Sequence, residues 1–101
     1  MTTGPNAIAT IDGIRADLCF LGINAIDPSF GVSDNDWDVV QMKKAMIRSA
    51  KKTVCLTISE KINSLQPIRV CMLGEIDVLI TELPPDHESL KPYVVAGVTV
   101  L

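Results

Sequence analysis

The chain has 101 residues with a formal net charge of −3, and it is 48% apolar and 21% charged, which suits one soluble globular domain. That composition excludes a disordered segment, a collagen-like repeat and a disulfide-dense secreted module. No run approaches the ~20 apolar residues of a membrane span, and Met1-Thr-Thr-Gly-Pro-Asn6 has neither the basic end nor the apolar core of a signal peptide.

Aromatic residues make up only 4%, so the core must be built from Ile, Val, Leu, Met and Ala. A sequence pI near 4.9 argues against nucleic-acid binding by these residues, which would call for a basic stripe. Lys43, Lys44, Arg48, Lys51 and Lys52 do cluster in one stretch. All but Lys43 share one side of a helix there, as a solvated face would.

A first helix is expected over Ala7–Ile14, entered through Gly4-Pro5. Asp17–Gly22 is a compact apolar run that suits a buried strand. Residues 23–35 are rich in turn formers and read as a long loop. A helix follows from about Asp36 to Lys51, with Ser33, Asp34 and Asn35 as capping candidates and Asp38 in its first turn.

Thr53–Ile58 is a second apolar strand, followed by a polar loop over Ser59–Pro67. Ile68–Met72 is a weaker strand signal, and Asp77–Thr81 is the clearest of all. Pro84-Pro85-Asp86 opens a helix to about Val95, Gly97 ends it, and Val98–Leu101 forms a last strand. Strands that alternate with helices and are apolar along their length predict one α/β domain: a mostly parallel sheet with helices on both faces.

Cys19, Cys55 and Cys71 are odd in number and no pair has metal-ligand spacing. Each lies in a strand-like run and is expected to be a reduced core residue of a cytoplasmic protein. His87 is the only histidine, and a Cys–His nucleophilic pair is a minor alternative. No metal or cofactor is expected.

Ligands of open parallel sheets bind beyond the carboxyl ends of the strands. That rule selects Gly22-Ile23-Asn24, Ser59-Glu60-Lys61 and Glu82. Ser59 and Lys61 together offer a hydroxyl and a charge to a phosphate or carboxylate. Lys43 falls within the helical arc of Val39, Met46, Ile47 and Ala50. A lysine on such a stripe must either snorkel to solvent or meet an anion.

The ordered series Asp17-x-x-Phe20-Leu-Gly22-x-Asn24-x-Ile26, Gly31-Val-Ser33 and Lys43-Lys-Ala45-Met46-Ile47-x-x-Ala50 resembles the effector domain of DeoR-family transcriptional repressors. Ser59-Glu-Lys61 matches the end of that family's Asp-Ser-Ser-Lys segment, and Gly74–Glu82 matches its Ile-Asp-x-Leu-Ile-Thr-Asp stretch. The resemblance covers about residues 4–101. It implies a bacterial regulator of sugar metabolism whose sensor, akin in fold to ribose-5-phosphate isomerase, binds a phosphorylated sugar or related metabolite and forms a homo-oligomer. It also implies a DNA-binding winged helix-turn-helix and a first phosphate loop ahead of residue 1, so that this chain would be a truncated sensor.

Carried over residue by residue, the resemblance implies ligand contacts at Gly22, Asn24, Ser33, Lys43, Ser59 and Lys61. Lys43 would touch the ligand or anchor the loop from Gly22 to Ser33. Related isomerases carry Asp-Gly-x-Asp-Glu where this chain has Leu21-Gly22-Ile23-Asn24-Ala25, and a glutamate where it has Met42. Isomerisation needs a carboxylate base, so binding without turnover is expected. Ile58 replaces the aspartate of the Asp-Ser-Ser-Lys segment. An isomerase-like enzyme, or an assembly domain that has lost its ligand, are the alternatives.

Overall fold

The computed structural model describes residues 4–101. Pro5 sits in the first turn of α1 (Pro5–Asp12), where its missing N–H costs nothing. β1 (Ala16–Gly22) follows, and α2 (Trp37–Ser49) comes after two short strands. The cap of α2 is Asp36, one residue beyond the expected candidates. Its carboxylate accepts the Asp38 and Val39 amides. That satisfies two N–H groups that the first helical turn cannot bond internally.

The helix stops at Ser49 because the chain becomes extended at Ala50, the start of β4 (Ala50–Leu56). Lys51 and Lys52 therefore lie on a strand rather than on the helix, although both remain exposed. Arg48 pairs with Asp12 at 3.0 Å, and the Ser49 hydroxyl donates to the Ile11 carbonyl. These contacts fasten α1 to α2.

β1, β4, β6 (Val78–Ile80) and β7 (Thr99–Val100) form a four-stranded parallel sheet in that order, the α/β arrangement expected. The register aligns Leu21 with Cys55 and Cys55 with Leu79, and all three are buried. α2 packs on β1 and β4, and α3 (Lys91–Val95) on β7. Leu90 and Tyr93 join the same core as Leu21, Cys55 and Leu79.

The alternate residues point the other way, as a two-residue period requires. Leu18, Phe20 and Leu56 are 49%, 56% and 40% exposed, although Val54 on the same face is buried, so the described elements cover this second face of β1 and β4 only in part. Full-length apolarity in these strands was the signal for double cover, and it leaves an apolar surface here instead.

A second sheet was not foreseen. The supposed loop 23–35 folds as β2 (Ala25–Asp27) and β3 (Gly31–Asp34), which pair antiparallel. β5 (Ile68–Cys71) joins β3 antiparallel and so belongs to this sheet, not to the parallel one. Asp27 closes the hairpin by accepting from the Ser29 amide and hydroxyl and the Phe30 amide. The Tyr93 hydroxyl ties the packing together: it accepts from the Asn63 amide and lies 2.8 Å from Asn63 Oδ1 and 3.2 Å from the Ile26 carbonyl.

Candidate functional site

The carboxyl ends of β1, β4 and β6 open on one cleft of about 1020 Å³. β1 supplies Gly22 and Asn24 just beyond it, β4 leads to Ile58 and Lys61, and β6 leads to Thr81 and Glu82. The three segments selected from the sequence thus converge. The mechanism is local: each parallel strand ends at the same edge, and the polar residues after it cannot continue into the core.

Lys43 enters this cleft from α2. Its ammonium donates to the Gly22 carbonyl at 2.8 Å and to Asp34 Oδ2 at 3.2 Å. Both side chains are nearly fully buried. Of the two outcomes open to a lysine on the apolar stripe, Lys43 takes the second and meets an anion, but that anion is a carboxylate of the chain itself. The other Asp34 oxygen accepts from Asn24 Nδ2 and from the Asn35 and Asp36 amides. Burial pushes the Asp34 pKa up, but the Asn35 amide, Lys43 and Asn24 outweigh it and hold the group below its ordinary value.

Ser59 is engaged just as fully. Its amide donates to Glu82 Oε1 at 2.8 Å and its hydroxyl to Glu82 Oε2 at 2.6 Å. Thr81 adds a hydroxyl bond to Oε1 at 2.9 Å. The Ser59 and Thr81 hydroxyls accordingly pull the Glu82 pKa down to about 2. Lys61 lines the cleft, and among the described residues no carboxylate lies within 4 Å of its ammonium.

Gly22, Asn24, Lys43 and Lys61 thus share the cleft, while Ser33 does not. Ser33 is fully buried in β3, where its hydroxyl accepts the Gln66 amide. The structure thus gives that hydroxyl a backbone partner away from the cleft. Ser59 borders the cleft through its clamp on Glu82 rather than lining it. Ile58, which stands where the family motif has an aspartate, is 53% exposed at the cleft wall.

Asp34 escaped the sequence reading. The sequence marks it only as a capping candidate for α2, and the hairpin over 25–34 is what aims it at Lys43. That hairpin had a signal in Asp27-Pro28-Ser29 and Gly31 between Ala25-Ile26 and Val32. The minor alternative of a Cys–His pair has no geometry. His87 is exposed with Nδ1 accepting from the Ser89 amide, and all three thiols are buried. No group of three or more metal-ligating side chains occurs among the described residues.

Residues 1–83 match the family described as the DeoR C-terminal sensor domain. The chain is 34% identical over 98 residues to the HTH-type transcriptional regulator GlpR of Haloferax volcanii, a match covering 97% of this chain and 38% of that protein. It is 29% identical to the putative aga operon transcriptional repressor of Escherichia coli, covering 97% of this chain and 36% of the relative. The glycerol-3-phosphate regulon repressor of Haemophilus influenzae is 30% identical, over 82% of this chain and 32% of its own length. The chain therefore spans about a third of the length of these curated relatives. With the family matched over most of its residues, this chain belongs to the DeoR C-terminal sensor domains.

Proposed function

We propose that the cleft is the effector site of a DeoR-type repressor of the bacterial kind, taking a phosphorylated sugar or polyol without turning it over. The observation that carries this reading is Lys61. It is a cation in the cleft whose charge no carboxylate of the described residues neutralises at close range, and the same cleft holds Asn24, whose amide can bond a ligand hydroxyl. The name of one relative, a glycerol-3-phosphate regulon repressor, supports a phosphorylated polyol as the first compound to try.

Binding without chemistry is supported by the state of the carboxylates. Asp34 is spent on Lys43 and three N–H donors, and Glu82 is held near pKa 2. Neither matches the near-neutral proton exchange that general acid–base catalysis calls for. Leu21 and Met42, which stand where isomerases have carboxylates, are buried apolar side chains.

In the whole protein, effector binding would bias an equilibrium between DNA-bound and released forms by favouring one of them. DNA contact would come from a separate winged helix-turn-helix, in the cytoplasm. Self-association is supported by Leu18 and Phe20, exposed on β1, which lies at the margin of its sheet.

A thermal-shift panel of sugar and polyol phosphates tests the assignment. A binder at a hundredfold excess over Kd stabilises the fold by about 2.7 kcal/mol, and its unphosphorylated counterpart should give no shift. A panel in which no phosphorylated compound raises the melting temperature refutes the assignment.

A further inference from the structure

Glu82 is an anion already bound at the place where a phosphate would need donors. Its two oxygens take the Ser59 amide, the Ser59 hydroxyl and the Thr81 hydroxyl, at 2.6–2.9 Å. Such bonds to an ionised acceptor belong to the strong class, and the shortest of them uses the hydroxyl of Ser59, in the turn Ser59–Lys61 that follows β4.

The charges of the cleft sharpen the point. It is lined by three carboxylates, Asp34, Asp36 and Glu82, against two ammonium groups, Lys43 and Lys61. Lys43 is committed to Asp34, and Asp36 caps α2. What remains is Lys61 and Glu82, which line the same cleft with opposite charges. A dianion attracted by Lys61 would be repelled by Glu82 in its present position, and it would find the Ser59 donors occupied. Glu82 is nevertheless exposed. Only hydrogen bonds hold it, so its side chain can leave without opening the core.

We propose that Glu82 is an internal competitor for the phosphate of the ligand, holding the Ser59 donors until a stronger anion displaces it. This rests on reading the cleft as a phosphate site. The arrangement makes Glu82 a specificity determinant. A neutral sugar hydroxyl cannot replace a carboxylate on these donors, whereas a dianion drawn in by Lys61 can. The exchange passes the Ser59 donors to the phosphate and releases the already exposed carboxylate of Glu82.

The test uses inorganic phosphate as probe, with binding read from the Ser59 amide resonance. Glu82→Ala should bind phosphate about tenfold more tightly than the native chain, the scale of removing one nearby like charge. Glu82→Gln keeps an acceptor for the Ser59 amide but loses the charge, so it preserves the loop and should gain severalfold. Adding Lys61→Ala to either variant should abolish the gain.

Phosphate affinity that is unchanged or weaker in a folded Glu82→Gln protein overturns the proposal, as does a gain that survives loss of Lys61. The two levels of inference separate cleanly. If Glu82→Ala gains phosphate at Ser59 while no phosphorylated metabolite binds the native chain, displacement stands and the effector reading falls. If metabolites bind the native chain and neither variant binds them or phosphate better, the effector reading stands and displacement falls.

Discussion

The Lys43 ammonium lies 3.2 Å from Asp34 Oδ2, and the two side chains are 8% and 4% exposed. The pair joins α2 to the end of β3, and the second bond of Lys43 reaches the Gly22 carbonyl at the end of β1. One buried cation thus fixes three elements around the cleft. Breaking a buried pair by removing one partner costs about 3–5 kcal/mol, because the other charge is left uncompensated. Lys43→Met should therefore destabilise the chain by an amount in that range in urea unfolding. Lys43→Met with Asp34→Asn should recover at least about 1 kcal/mol of it. Additive costs would show that the two residues act separately.

Acid should act through the same carboxylates. Asp34 is held below its ordinary value, because its hydrogen bonds and Lys43 outweigh burial, and Glu82 lies near 2, chiefly through the Ser59 and Thr81 hydroxyls. A group whose folded pKa is depressed contributes its stability in full above the unfolded value, near 4, and loses it as pH falls towards the folded one. The melting temperature should accordingly be flat from neutrality to about pH 5 and then fall between about pH 4.5 and 2. In Glu82→Gln that acid slope should be shallower. An identical slope would show that the Glu82 clamp gives no linkage.

The parallel sheet was legible because β1, β4 and β6 carry unbroken apolar runs, and the rule that sites lie beyond strand ends then pointed to Asn24, Lys61 and Glu82. The second sheet was not. β2 and β3 have three and four residues, too few for a period of two to show. Their stability comes from the Asp27 turn and from β5, which lies far along the chain. Lys43 was legible as an anomaly on its helix, but its partner depended on where the hairpin ends. The exposed Leu18, Phe20 and Leu56 could not be told from core residues, since apolar sequence reports a need for cover and not its presence.

The cysteines offer a check on the core. Burial pushes the Cys55 and Cys71 pKa values up to about 12 and raises that of Cys19. The thiolate is the reactive species, so native protein at pH 8 should react slowly with a disulfide reagent at all three sites. All three should react promptly in denaturant. Prompt labelling of Cys55 or Cys71 in the folded chain would contradict the packing of β4 and β5.

Gly31 gives the sharpest test of the unforeseen sheet. It opens β3 with φ of 90°, a left-handed conformation that a side chain resists. A Cβ there would also collide with the Cys71 carbonyl oxygen of β5. That atom is backbone held in the antiparallel pairing, so it cannot swing aside as a side chain could. Two mechanisms add in Gly31→Ala, strain at φ and displacement of β5, each of order 1–3 kcal/mol. The substitution should lower stability by more than about 2 kcal/mol on that basis. It should also loosen the hairpin that aims Asp34 at Lys43. Amide exchange should then accelerate in β3 and β5 ahead of β1 and β4. A variant as stable as the native chain would mean that residues 25–34 do not form this hairpin against β5.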